Sequence, residues 1–325
     1  MTRSTIGAVV IGRNEGQRLV NCLASMHGEA TRLVYVDSGS TDTSVEEARK
    51  AGAEVVLLDT SQPFTAARAR NAGFDALTKS VTPPDYVQFV DGDCTLEPGW
   101  LTHAATALDG DPDAGIVTGW RAELHPEASV YNAMCDFEWH RPAGDIDACG
   151  GDMMVRRELF AQLEGFNPRV IAAEDDEFCV RVRKSGFRIQ RLPIPMTHHD
   201  AAMHQFGQWW QRAIRSGHGF AQVGDLHPDH FRAERRRVWL FGAVLPLLFI
   251  VGMVMSSLLL FLVLLAYTAS YIRTVEGLRK AGMPTKQALH HSVMLFLSKF
   301  PNLVGSMRYW KRKRRGWNME IIEYK

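Results

Sequence analysis

Four apolar runs within the first 90 residues, spaced by helix-like segments, constrain this chain more than any other feature. Gly7–Ile11, Arg32–Val36, Glu54–Leu58 and Tyr86–Val90 are short and rich in β-branched or aromatic residues. That is the signature of buried strands. Between them lie Glu15–Met26, Asp42–Ala51 and Thr65–Leu77. These read as helices, with Asp42 as the N-cap of the second. Regular alternation of strand and helix predicts an α/β chain: a mostly parallel, Rossmann-like sheet with flanking helices.

Polar turns follow three of the strands: Gly12-Arg13-Asn14-Glu15, Asp37-Ser38-Gly39-Ser40-Thr41-Asp42 and Asp91-Gly92-Asp93. Ligands of open α/β sheets bind beyond the carboxyl ends of strands, so three such turns at one edge describe a nucleotide-sized site. Asp-X-Asp offers two hard oxygen ligands, which suit Mg²⁺ or Mn²⁺ and, through the metal, a phosphorylated substrate. Each turn also has a plainer account. Gly92 serves a solvated turn, and Asp37 to Asp42 is rich in turn formers that cap the next helix. Asp37, directly after its strand, is also placed to accept hydrogen bonds from a base or ribose. No Gly-x-Gly-x-x-Gly or Walker A sequence follows the first strand, which speaks against dinucleotide and P-loop chemistry.

Six segments occur in an order and spacing that resemble the family 2 glycosyltransferases of GT-A fold. They are Val10–Glu15, Asp37–Asp42, Ala69-Arg70-Asn71-Ala72-Gly73, Asp91-Gly92-Asp93, Gly150-Gly151-Asp152-Met153 and Ala173–Glu177. The resemblance spans roughly residues 6 to 220. Two positions depart from the family pattern. Gly12 replaces a usual Pro before the Asn-Glu pair, and Asp152 replaces a usual Asn in the acceptor loop.

The resemblance implies a nucleotide-diphosphate sugar donor, of UDP type, held by Arg13, Asn14, Glu15, Asp37, Ser38, Ser40, Arg70, Asp91 and Gly92. It turns Asp91 toward the ribose and makes Asp175 the general base. Asp93, nearer the loop, is the expected metal ligand. His198 joins it by family position; adjacent residues of a strand point to opposite faces, so only one of His198 and His199 faces the site. Asp152, Glu174, Gln208, Trp209 and Arg212 fall on the acceptor side. One base without a carboxylate nucleophile fits a single displacement with inversion. Two plainer accounts remain. Glu174 to Glu177 suits the N-terminus of a helix by charge alone, and the Gln208–Arg215 helix, with its two Trp, suits a membrane surface.

Val238–Ile272 is 35 residues without Asp, Glu, Lys or Arg, flanked by Arg235-Arg236-Arg237 and by Arg273, Arg279 and Lys280. One membrane helix needs about 20 apolar residues, and basic flanks prefer the cytoplasm. A hairpin breaking near Ser256-Ser257 keeps both flanks on that side. Residues 287–305 read as an interfacial segment. From Arg273 to Lys325 there are 12 Lys/Arg against 3 Asp/Glu, so the total charge of +1 hides a basic tail behind an acidic body. Lys311-Arg312-Lys313-Arg314-Arg315, following apolar segments, fits anionic lipid headgroups rather than nucleic acid.

The expected division is a catalytic domain over 1–231 and a membrane module over 232–325. The catalytic domain lies on the cytoplasmic side of a plasma or bacterial inner membrane, acting on a lipid-linked saccharide in cell-surface polysaccharide or glycolipid synthesis. The five scattered Cys read as reduced and structural, and Met1–Thr5 leads straight into the first strand, leaving no room for a signal peptide. Two other classes compete. A nucleotidyltransferase wants a basic, glycine-rich phosphate loop, of which Gly12-Arg13-Asn14 is a poor version. A catalytically silent scaffold has no need of Asp91, Asp93 and Asp175.

Overall fold

The computed structural model describes residues 4–79 and 81–323; the first residues of the Met1–Thr5 stretch lie outside them. The chain divides into two compact units, Met1–Met203 and His204–Lys325.

The first unit is built on a nine-stranded sheet. Its strands are β1 (Ile6–Gly12), β2 (Arg32–Asp37), β3 (Glu54–Leu57), β4 (Tyr86–Asp91), β5 (Cys94–Leu96), β6 (Ala114–Glu123), β7 (Gly144–Asp145), β8 (Met153–Arg156) and β9 (Arg188–His199). The order is β3-β2-β1-β4-β8-β6-β9-β5, with β7 on β9. The first four strands pair in parallel as expected. Beyond β4 the sheet is mixed, because β8 runs antiparallel to both β4 and β6 and β5 runs antiparallel to β9. The fold is therefore α/β with a mixed sheet, less parallel than the alternation of its first half suggests.

Successive β1 residues feed opposite faces. Ala8 and Val10 join the cluster with Leu19, Leu23 and Trp100. Val9 and Ile11 join Phe74, Phe89, Phe160 and Phe178. Both faces are covered by helices, as a parallel sheet requires. The pairing register puts Gly12 opposite Asp37 and Ile11 opposite Asp91. The three polar turns thus leave the sheet at one edge, where the chain order reverses about β1.

The second unit is helical. Phe206–Leu226 packs on Lys299–Arg314, and Arg232–Met255 and Ser257–Lys280 form a hairpin. The expected break is present: Ser256 caps the second arm, its Oγ accepting from Leu259 N at 3.3 Å. Both arms are 24 residues, long and apolar enough to cross a membrane, and their outward faces are apolar (Leu247, Val254, Leu258, Phe261). The segment read as one interfacial stretch is two helices, Thr285–Leu297 and Lys299–Arg314.

The boundary differs from the expected 231/232 for a local reason. The Phe206–Leu226 helix belongs to the second unit because glycines bring two backbones together. A Cβ on Gly305 would lie 2.0 Å from Ile214 O, and one on Gly217 would lie 2.0 Å from Asn302 O. Ser306 Oγ donates to Gly217 O at 2.9 Å. Gly305→Ala is expected to destabilise this crossing by about 1–3 kcal/mol through overpacking, read as a lower Tm of the second unit. An unchanged Tm would show that the contact yields without cost.

Candidate active site

The β1 and β2 turns hold each other. Asp37 is buried; its carboxylate accepts from Tyr35 OH at 3.0 Å and from Gly39 N and Ser40 N at 2.9 Å. Ser40 Oγ then accepts from Asn14 N at 2.9 Å, and Asn14 Oδ1 accepts from Thr41 N at 2.7 Å. Asn14 sits at φ 57°, a left-handed conformation that Asn tolerates better than most residues. Asp37, Ser40 and Asn14 therefore shape the rim. Arg13 lies over the Phe64 ring at 4.3 Å. Glu15 pairs with Arg18 at 2.8 Å, and its Cγ would touch a Cβ placed on Gly92. Ser38 joins the rim by the backbone, its N donating to Gly12 O at 3.0 Å.

Arg70 is delivered by the helix Ala66–Thr78, capped by Thr65, whose Oγ1 accepts from Arg68 N at 3.1 Å. Its guanidinium is buried and forked. One nitrogen donates to Asp91 Oδ1 at 2.6 Å and another to Glu174 Oε1 at 2.7 Å. A Cβ on Gly151 would stand 2.0 Å from this guanidinium, so the absence of a side chain at Gly151 leaves its path open.

A second guanidinium, Arg121, pairs with Asp152, approaches Asp91 Oδ2 at 3.7 Å and lies over the Trp139 ring at 5.2 Å. Burial would raise the Asp91 carboxyl; Arg70 and Arg121 more than offset it and hold that carboxyl below its ordinary range. Asp91 is thus ionised and fixed.

Asp152, expected on the acceptor side, is a buried bracket instead. It accepts from Asp91 N at 3.0 Å, from Thr197 Oγ1 at 3.2 Å and from Arg121. Glu174 is likewise buried against Arg70. Neither has the exposure that a contact to acceptor needs. Asp175 is next in the chain and half-buried, in the first turn of the helix Glu174–Lys184. Burial first, then the neighbouring Asp176 and Glu174 charges, push its carboxyl well above the usual carboxylate range. Shifts of this sign are what a general base requires.

The metal expectation needs one correction. His198 turns away and pairs with Glu97. His199 is the histidine beside Asp93, Nε2 to Oδ2 at 3.3 Å. The β5–β9 register sets Cys94 opposite His199 and Thr95 opposite His198, which decides the face. On the other side of the ring, Nδ1 is 3.6 Å from Glu123 Oε2. Asp93, Cys94 and His199 offer ligand atoms within 4.8 Å of one another. Carboxylate and imidazole suit Mn²⁺, and the carboxylate behind the imidazole is the usual outer partner of a metal-bound histidine. The Cys94 thiol, held protonated by burial, is no ligand for a hard ion. The residues fit a divalent cation through Asp93 and His199.

Gln208, Trp209 and Arg212 lie on the Phe206–Leu226 helix of the second unit. Gln208 caps it, its Oε1 accepting from His204 N at 2.9 Å and Gln205 N at 3.0 Å, and Trp209 is buried. Sequence reasoning missed Arg121 and Glu123. The available signal was an apolar run, Ala114–Thr118, followed by two charges one residue apart.

A family model described as glycosyl transferase family 2 matches residues 8–163, and one described as the N-terminal domain of galactosyltransferase matches 129–205. The pre-mycofactocin glycosyltransferase of Mycobacterium tuberculosis is 25% identical over 238 residues, 69% of this chain and 48% of that protein. The chain therefore spans about half the length of this relative. The amylovoran biosynthesis glycosyltransferase AmsB of Erwinia amylovora is 22% identical over 218 residues, 60% of this chain and 69% of its own. Among solved structures, the mannosyltransferase PcManGT from Pyrobaculum calidifontis, in complex with GDP-Man and Mn²⁺, shares the fold with a TM-score of 0.61. It is 17% identical, over 96% of this chain and 89% of that one.

Proposed function

We propose, from the match of residues 8–163 to the family model described as glycosyl transferase family 2, that this chain is an inverting, metal-dependent enzyme of that family. It moves a sugar from a nucleotide-diphosphate sugar to a saccharide acceptor carried on a membrane lipid. The observation that carries this reading is the fork of Arg70. One side chain grips Asp91, at the end of the central strands, and Glu174, next to the candidate base. The donor turn and the start of the Glu174–Lys184 helix are thereby parts of one site.

Asp175 takes the proton of the acceptor hydroxyl as its oxygen bonds to the anomeric carbon. The bond from that carbon to the diphosphate oxygen breaks on the opposite face. Arg70 and Arg121 fix the Asp91 carboxylate against the sugar–nucleotide side. Asp93 and His199 would hold a divalent cation, which would supply positive charge opposite the leaving diphosphate. The lipid-borne acceptor is supported by the two long apolar helices and by a relative named for amylovoran biosynthesis. On this reading the chain works at a plasma or inner membrane with its catalytic unit on the cytoplasmic side.

The test is thermal stabilisation of the full chain in detergent against UDP- and GDP-sugars, with Mn²⁺, Mg²⁺ or EDTA. A true donor raises the midpoint by mass action, and the rise disappears in EDTA. Midpoints unmoved by every sugar nucleotide sink the reading.

Glu123 sharpens the metal part. It is buried and also accepts from Asn132 Nδ2 at 3.1 Å and Ala201 N at 3.0 Å. Its carboxylate lies 3.6 Å from His199 Nδ1 and would favour the proton on that nitrogen, which would leave Nε2 free for a metal. Glu123→Gln is expected to weaken Mn²⁺ binding about 10- to 100-fold, measured by Mn²⁺ titration without substrate. Binding at the intact affinity would remove Glu123 from the metal site.

A further inference from the structure

The second unit contains a cavity of about 350 Å³ that the transfer reaction does not use. Its walls include Gln211 and His218 of the helix Phe206–Leu226, Arg308, Lys311 and Arg312 of the helix Lys299–Arg314, and Trp317 beyond it. Positions 308, 311 and 312 recur at i, i+3 and i+4, so the three cations share one helix face. Neither Arg308 nor Lys311 has an ion-pair partner among the described residues. Arg312 is engaged from the chain's last residues: it pairs with Glu320 and donates to Asn318 O at 2.7 Å. Glu320 and Glu323 also line the space.

His218 is the second, independent feature. Only 1% of it is exposed, and its Nε2 has no hydrogen-bond partner. A buried polar atom left unpaired weighs against the fold, and His218 lines the same cavity as the cations. Burial first lowers its pKa to about 4, against a hydrogen bond with Gln222 that raises it, with Arg312 and Arg308 adding to the fall. The imidazole is thus neutral at physiological pH, and the positive field around it is what an anion would complement.

We propose that this cavity is a phosphate site. Arg308, Lys311 and Arg312 hold the oxyanion, His218 supplies a hydrogen bond through Nε2, and Trp317 covers the carbon-bearing side of the ligand. The Glu320 carboxylate occupies the position of a competing internal anion on Arg312. The site lies in the helical unit and does not depend on the transfer reaction. Its position beside two long apolar helices makes a phospholipid headgroup one source of the phosphate, and a soluble phosphate ester or diphosphate is the other.

The probe is inorganic diphosphate, titrated calorimetrically into the full chain in EDTA, which silences any metal-assisted binding elsewhere. Arg308→Gln with Lys311→Gln is expected to weaken binding at least tenfold. Arg314→Gln with Arg315→Gln removes the same charge outside the cavity and is expected to change it less than twofold. His218→Leu, which changes no net charge at neutral pH, is expected to lose about tenfold; His218→Gln, which keeps a hydrogen-bonding group, recovers most of that and serves if the Leu variant does not fold. Nanodiscs of phosphatidylcholine with and without phosphatidic acid separate the sources. Competition by phosphatidic acid assigns a lipid headgroup, and undiminished diphosphate binding assigns a soluble ligand. Equal losses in the two charge pairs, or no diphosphate binding by the intact chain, overturns the proposal.

Discussion

Asp175→Asn is expected to lower transfer about 10²- to 10⁴-fold, the range for loss of general-base help, while donor and Mn²⁺ affinities stay within twofold. The amide keeps the shape of the carboxyl but accepts no proton. Asp176→Asn is the control: the same chemistry one residue away, in a helix first turn where an acidic side chain contributes about 0.3–1 kcal/mol. Equal losses at the two positions would make the acidic run a helix terminus and nothing more.

The raised Asp175 pKa adds two signatures. The base works only when ionised, so the acid limb of the kcat/KM profile lies above the ordinary carboxylate range. Stability runs the other way. A carboxyl whose folded pKa exceeds its unfolded value contributes stability below the unfolded pKa and loses it as pH rises through the folded one. Once ionised, Asp175 therefore weighs against the fold. The Asn variant is expected to melt at the same temperature as the intact chain or higher, with a difference that widens as pH climbs through that window. A variant both inactive and less stable points to a structural role instead.

Asp93→Ala is expected to abolish the Mn²⁺ response of donor binding, a loss of at least about 100-fold, since outer-sphere partners alone are worth 10- to 100-fold. His199 is left with Glu123 alone, and the protonated Cys94 thiol does not substitute. Calorimetric titration of the nucleotide sugar with Mn²⁺ and with EDTA reads this directly. The paired variant is His198→Ala. Because His198 is engaged by Glu97, its loss is expected to leave Mn²⁺ affinity unchanged, whereas His199→Ala reproduces Asp93→Ala. A metal response surviving in Asp93→Ala, or lost in His198→Ala, would falsify the assignment.

The gathering of the three polar turns at one sheet edge was legible because its information is local. Strand ends, turn formers and acids sit next to one another in the chain, and the period of the strands predicts the edge they share. The histidine was not. His198 and His199 have the same residue type, and which face each takes is decided by the register of β9 on β5, a pairing about a hundred residues apart. Asp152 shows the same limit. As a motif residue it reads as an acceptor contact; only the approach of Arg121 and Thr197 makes it a bracket for Asp91. The compact units divide at 203/204, and the close crossing at Gly217 and Gly305 that ties Phe206–Leu226 to the second unit is visible only once the two helices lie side by side.

Arg70 has a consequence for how such an enzyme changes over time or in the hands of an engineer. One guanidinium balances two carboxylates, one from the donor turn and one from the helix beginning at Glu174. Exchanging that helix for a relative's, to reprogram acceptor choice, would carry off one of the two counter-charges and leave Asp91 over-attracted. Replacing the donor strand would do the reverse to Glu174. The two halves of the site are therefore not interchangeable parts. A working chimera has to transplant positions 70, 91 and 174 together, and drift at any one of them narrows what the other two can become.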